Sequence, residues 1–321
     1  MSHREELSLI LRAARLYYEE GLTQQQVARE LGISRPKVSR LLSQAREEGI
    51  VQINIVDPFA EHSALERDLV ATFGLRQAVV TACAGVEGEG QQRRIGFAAA
   101  EFLACTLTDG QRVGIGWGRT LYSVVTSLDV RRRVNIQVVP LIGGMGRVPP
   151  AFQVNELARR LAEAFGGTWQ ALYAPAFIGE RVARETLVRL RDVQLVLQSW
   201  SALDWVLVSV EPFDVQGQSS MFFADYMDES TLKQLEAAGA VGNLCGRFFT
   251  ASGEPCGPEE GVVGISLEQL RALDGVIGVA GGLDKVPALL GALKGGYLNV
   301  LITDETTAQA VLARHQAGGR A

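Results

Sequence analysis

Two hydrophobic rhythms divide the chain. Up to about residue 50, apolar positions recur every three or four residues, the period of helices buried on one side. From residue 78 onward, short apolar runs alternate with helical stretches. In the first part, Leu9, Ile10, Ala13, Leu16 and Tyr17 predict a leading helix over 7–19. Val27, Ala28 and Leu31 predict a second helix, begun by Thr23 and Gln26 in a capping-box pattern and stopped by Gly32. Ile33 is placed to plug the corner. Ser34 is expected to cap a third helix, with Pro36 in its first turn and Val38, Leu41, Leu42 and Ala45 inward. Gly49-Ile50 breaks that helix, and 51–55 alternates like a strand, the start of a wing. Asp57-Pro58 marks a boundary. The amphipathic stretch 61–73, with Leu65, Leu69 and Phe73 on one side, is a linker helix or a dimer contact.

In the second part, strands are predicted at 78–82, 112–116, 136–142, 169–173, 205–210, 275–280 and 298–302. Helices are predicted at 91–107, 120–127, 153–165, 181–190, 192–199, 230–238, 267–273, 286–293 and 306–316. Several of these strands are apolar on both faces, as in a parallel sheet covered by helices on each side. The expected architecture is a winged helix-turn-helix domain over 1–56, followed over 57–321 by a doubly wound, mostly parallel α/β domain.

Composition narrows the class. The 321 residues are 47% hydrophobic and 21% charged, a soluble globular composition with room for a large core. The net charge of −5 means that any affinity for nucleic acid must come from a local patch. Four scattered cysteines, without a C-x-x-C pair, imply neither a disulfide framework nor a zinc site. Three isolated histidines make a metal centre unexpected, and no cofactor is expected. The polar N-terminus shows no signal peptide, and no apolar run reaches the length needed to span a membrane. A cytoplasmic location is the expectation.

Candidate chemistry lies in both parts. The third helix carries Arg35, Lys37, Arg40 and Arg46 with no acid before Glu47. Arginine grips guanine O6 and N7 through two parallel hydrogen bonds, and lysine neutralises phosphate. Taken alone, the segment also fits a helical hairpin in a core with solvated charges. The ordered set of cap, stop and cationic flank points instead to DNA, with Thr23, Gln24, Ser34, Arg35, Lys37, Ser39 and Arg40 as contact residues.

In a doubly wound sheet, ligands bind beyond the carboxyl ends of the strands. Four loops there stand out. Gly114-Ile115-Gly116-Trp117-Gly118-Arg119-Thr120 runs from strand to helix. It offers free N–H groups, a hydroxyl and a cation to a phosphate, or simply tight glycine packing. Gly143-Gly144-Met145-Gly146 precedes a helix with Gln153 and Asn155 near its start, amides for sugar hydroxyls or polar groups facing water. The run 240–249 is read as a loop with Asn243 and Arg247 in apolar surroundings, where unpaired polar groups are costly. Val279-Ala280-Gly281-Gly282-Leu283-Asp284-Lys285 puts Lys285 at a helix start, where a lysine opposes the dipole unless an anion compensates it.

On LTQQQVARELGISRPKVSRLL, VGIGWGRTL, AVGNLCGRFF, GGLDK and LNVLITDETTA, the chain resembles the SorC family of bacterial transcription regulators along nearly its whole length. The resemblance implies a winged helix-turn-helix joined to a sugar-phosphate-sensing domain similar in fold to phosphosugar isomerases and deaminases. It also implies a phosphorylated-sugar effector and a homo-oligomer, typically a tetramer. By motif, Gly118, Arg119 and Thr120 match the phosphate loop, Gln153 and Asn155 match polar positions on the next helix, and Lys285 matches the lysine after paired glycines. Gly116, Gly144, Asn243 and Arg247 complete the candidate effector set. The chain departs from the family pattern at Asn243 and Thr250, where many relatives have aspartate. It departs again at Ser209-Val210-Glu211, where many have Gly-Ile-Gly, and at Arg119, where some carry a threonine. The function expected is a regulator whose operator affinity is set by a small phosphorylated sugar. The rival is a sugar-phosphate isomerase or deaminase with a DNA-binding appendage. It needs a general base, for which Asp204 and Asp304 lie near strand ends without a histidine, and Asp304 also reads as a helix cap.

Overall fold

The computed structural model describes residues 3–51, 64–83, 86–213, 226–257 and 261–318. The chain divides into two units, Met1–Glu61 and His62–Ala321. The boundary expected at Asp57-Pro58 and all but Val51 of the wing strand expected over 51–55 lie outside the described residues.

Among the described residues, the first unit holds three helices: α1 (His3–Ala14), which runs on through a π-helical stretch (Arg15–Glu19), α2 (Gln24–Leu31) and α3 (Arg35–Glu47). Their inward residues, Ile10, Ala13, Val27, Val38, Leu41, Leu42 and Ala45, form one core. The Thr23–Gln26 capping box forms as expected, and Gly32 takes the left-handed conformation (φ 63°) that ends α2. Ser34 corrects one expectation. Its backbone is extended like that of a cap residue, yet its hydroxyl makes no capping bond.

The second unit begins with α4 (Ala64–Phe73) and β1 (Gln77–Thr81), then α5 (Glu89–Thr106), β2 (Arg112–Ile115) and α6 (Arg119–Thr126). There follow β3 (Gln137–Pro140), α7 (Val154–Phe165), β4 (Thr168–Trp169), α8 (Arg181–Val188), α9 (Arg191–Ser199) and β5 (Trp205–Ser209). With β10 (Val276–Val279) and β11 (Val300–Asp304), these strands make a seven-stranded parallel sheet ordered β1-β11-β10-β5-β2-β3-β4. All five residues of β5 are buried, because both faces of the sheet are covered. Alternation sends Val206 and Val208 to one core layer and Trp205 and Leu207 to the other. The apolar side of α4 belongs to the first layer, with Leu69 fully buried and Phe73 edge-on to His315 at 4.9 Å.

Three elements differ from expectation. The strand expected over 169–173 is only Thr168–Trp169, and Tyr173 is 81% exposed. The last strand starts two residues late, because Asn299 joins the preceding connection, accepting from the Val276 amide at 2.7 Å. The run read as a loop over 240–249 is a hairpin. Strands β6 (Glu211–Pro212), β7 (Ala240–Leu244), β8 (Arg247–Thr250) and β9 (Pro255–Cys256) form a second, antiparallel sheet. Cys245 and Gly246 make its two-residue turn, both with positive φ (49° and 77°). Helices α10 (Glu229–Ala237), α11 (Leu267–Arg271), α12 (Val286–Lys294) and α13 (Glu305–Gly318) also belong to this unit. Gly242 lets α12 pack closely on β7, since a Cβ there would stand 2.4 Å from that of Ala288.

Candidate functional site

In the first unit, burying Val38, Leu41, Leu42 and Ala45 turns the other side of α3 outward. Ser34, Arg35, Lys37, Ser39 and Arg40 are all exposed along it, with Thr23 exposed and Gln24 half-buried at the start of α2. None of Arg35, Lys37, Arg40 and Arg46 forms an ion pair among the described residues, although Arg46 donates to the Ser43 hydroxyl at 3.3 Å. Ser34 joins this face with a hydroxyl not engaged in capping. The result is one helix with its apolar half anchored and its cationic half outward, a shape suited to the major groove.

In the second unit, strand order dictates where a ligand site belongs. After β2 the chain moves outward to β3 and β4; from β5 it moves the other way through β10 to β11. The reversal lies between β2 and β5, whose carboxyl ends splay their loops apart. Gly116, Trp117, Ser209, Glu211, Asn243 and Cys245 converge there around a void of about 10 Å³. That is about the space of one water molecule. Gly118 heads α6 with φ 115°, a conformation that favours glycine, and no side chain caps the helix. Arg119 is exposed, with no ion pair among the described residues. Thr120 is buried, its hydroxyl accepting from Gln92 Nε2 at 3.2 Å. Lys285 sits at the N-cap of α12, and its Nζ lies 3.0 Å from the Glu211 carboxylate, with the lysine side chain 15% and the glutamate 31% exposed.

The amides are engaged with backbone rather than facing water. Gln153 accepts from the Met145 amide at 3.1 Å and donates to the carbonyls of Met145 and Val148, which fixes the loop after β3. Asn155 pairs with both backbone groups of Leu172, donating at 3.2 Å and accepting at 3.0 Å. Gly144 is held in the same loop by a parallel bridge to Pro175. Asn243 donates to the Glu211 carbonyl at 3.5 Å and accepts from the Gly246 amide at 3.4 Å. Arg247 faces the other side of the hairpin, since Leu244 pairs with Arg247 and Asn243 with Phe248. Its guanidinium donates to the Val262 and Gly264 carbonyls at 3.2 and 3.0 Å. There it lines a separate cavity of about 400 Å³ with Arg184, Trp200 and Gln269.

Of the two carboxylates considered as bases, Asp204 lies at the amino end of β5, opposite the cleft, and accepts from the Arg112 amide at 2.7 Å. Asp304 is fully buried and caps α13 through the Thr307 amide and hydroxyl at 2.9 and 2.6 Å. The Thr307 hydroxyl in turn accepts from the Gly282 amide, which fixes the glycine turn before Lys285. Burial pushes the Cys245 thiol up to about 12, against the opposing pull of Arg247. Gln92, Trp117, Ser209, Glu211 and Cys245 are parts of the site absent from the expected effector set, although all but Gln92 lie in segments that the sequence singles out. Gln92 carries no local signal, because its partner is 28 positions away. Among the described residues, no cluster of three His, Cys, Asp or Glu could hold a metal, and no helix is long and apolar enough to cross a membrane.

Comparison with known proteins fits this geometry. Residues 57–313 match a family described as "Putative sugar-binding domain", and residues 6–53 match one described as "Homeodomain-like domain". The chain is 34% identical over 311 residues to the deoxyribonucleoside regulator of Bacillus subtilis, covering 96% of this chain and 98% of that one. It is 33% identical over 316 residues to the sorbitol operon regulator of Klebsiella pneumoniae, covering 97% and 100%. The crystal structure of the full-length sorbitol operon regulator SorC superposes with a TM-score of 0.74 over 95% of this chain and 98% of that chain.

Proposed function

Because the chain belongs to the SorC family of transcriptional regulators, we propose that it binds double-stranded operator DNA through the outward face of α3. A small phosphorylated sugar, held in the cleft between the β2 and β5 ends, changes that affinity. The observation that carries this reading is the exposed row Arg35, Lys37 and Arg40 on a helix whose other side is buried. Arg35 and Arg40 read base edges; Lys37, Ser39, Ser34, Thr23 and Gln24 hold the backbone. Two half-sites lie about 34 Å or a multiple apart, so the active form is a homo-oligomer, a dimer or tetramer. It works in the cytoplasm without metal or cofactor.

In the sensor unit, over 57–321, Gly116, Gly118, Arg119 and Thr120 receive the ligand's anionic group at the uncapped start of α6. Gln153, Asn155, Gly144 and Asn243 set the shape of the surrounding walls through their backbone bonds, and Arg247 braces the hairpin from its other side. The unit senses its ligand and does not turn it over; the engagement of Asp204 and Asp304 elsewhere supports this. The ligand shifts operator affinity only by its differential affinity for two arrangements of the subunits.

Fluorescence-anisotropy titration against duplexes from the DNA flanking its own gene tests the reading. Arg40→Ala and Arg35→Ala each weaken binding by about 1–3 kcal/mol, and at least one relaxes base preference. Wild-type affinity and selectivity in both variants would overturn it.

A further inference from the structure

The anion position of this cleft is already filled by the protein. Glu211 lies two residues beyond the end of β5, at the reversal of strand order. One carboxylate oxygen is 3.0 Å from Lys285 Nζ. The other lies over Gly118, 3.9 Å from where a Cβ on that residue would stand. The two features that would attract a ligand's phosphate, the lysine and the start of α6, thus face one resident carboxylate. The enclosed space beside it is about 10 Å³, too small for a sugar, so a ligand occupies that space only by moving a wall. Glu211 is more exposed than its lysine partner (31% against 15%), whereas Asn243 and Cys245 are buried behind it. It is the charged wall residue with solvent to swing into.

We propose that Glu211 determines which ligand charge this cleft accepts. Its carboxylate is a built-in competitor for the anionic group of the effector, and a phosphorylated ligand binds only by displacing it from Lys285 and Gly118. The effect is selective. A phosphate must break the ion pair and meet a like charge, whereas the parent sugar, without phosphate, meets a carboxylate that accepts hydrogen bonds from hydroxyls. The inference rests on the reading of this cleft as the effector site.

Thermal-shift titrations of the full chain with inorganic phosphate, against chloride at matched ionic strength, test it. Glu211→Gln keeps the side-chain volume and removes the charge, and its half-saturating phosphate concentration should fall by about tenfold or more relative to wild type. Glu211→Gly, which removes the side chain altogether, should move it in the same direction and serves if the glutamine variant folds poorly. Adding Lys285→Ala to either variant should remove the response. Equal half-saturation in wild type and both Glu211 variants, with the response still dependent on Lys285, would overturn the role of Glu211 alone. A response that survives Lys285→Ala, or none in any protein, would overturn the effector-site reading as well.

Discussion

Replacing Asn155 by alanine separates two roles that the residue could play, one toward a ligand and one toward the fold. Its amide closes a ring with Leu172, donating to the carbonyl at 3.2 Å and accepting from the N–H at 3.0 Å, as a neighbouring strand would. Leu172 lies just past the two-residue strand β4 and is 1% exposed. Alanine would leave a buried donor and a buried acceptor without these bonds. An unmet buried backbone group costs about 1–3 kcal/mol, so the pair costs roughly 2–6, with water entry favouring the lower half. At about 2–4 °C per kcal/mol for a domain of this size, the melting temperature of the ligand-free protein should fall by roughly 5–10 °C. Calorimetry or circular dichroism on the full chain reads this directly. A side chain waiting for a ligand predicts the opposite, because removing it leaves the free protein's melting temperature nearly unchanged. Melting within about 1 °C of wild type would refute the clamp and return Asn155 to the ligand.

Two further predictions concern protonation. At pH 8 the buried Cys245, whose thiol is raised to about 12, should resist alkylation in the folded protein, whereas exposed Cys105 should react; rapid loss of both thiols by mass spectrometry would contradict the burial. By linkage, a thiol with a raised folded pKa favours the fold below its ordinary value of 9.0 and loses that contribution as pH rises toward 12. On α7, Arg159 and, after it, Arg160 hold the Glu156 carboxylate down to about 2. Its contribution to stability is therefore full above the ordinary value of 4.5 and fades as pH falls toward 2. Glu156→Gln should flatten the acid limb of a stability–pH curve over that window, by a small amount because the network is partly solvent-screened; an unchanged limb would refute the assignment.

What could be read before folding follows from the range of the interactions concerned. The helix-turn-helix was legible because its signals are local: Thr23 to Gln26 in the capping box, Gly32 at the left-handed stop, Val38 to Ala45 on one face. The parallel strands were legible because burial on both faces writes solid apolar runs. The hairpin over 240–250 was not. Two-residue hairpin turns are usually announced by Asn-Gly or Asp-Gly, whereas here a cysteine takes the left-handed position ahead of the glycine, at φ 49°. Asn243 and Arg247, read as marks of a loop, are strand residues: the Asn243 amide bonds within the hairpin, and a terminal guanidinium nitrogen of Arg247 donates to carbonyls across from it.

The site divides along the same line. The glycine turn after β2 was legible as strand, turn and helix in sequence. The pairing of Lys285 with Glu211 was not, because 74 residues separate them. A lysine at a helix start demands an anion on electrostatic grounds, and that demand is satisfied equally by a ligand or by the chain itself. Only the strand order brings the end of β5 beside Gly118 and within reach of the glycine turn after β10, so that Glu211 answers it. The fold therefore sets where a ligand can sit, through the reversal between β2 and β5. On the proposed reading, Glu211, two residues past β5, then sets what charge arrives there. A glycine at that place leaves the lysine and the helix start to the ligand's phosphate, while a glutamate supplies the anion internally. Two proteins with one backbone and one lysine can thus differ in ligand charge by this single side chain.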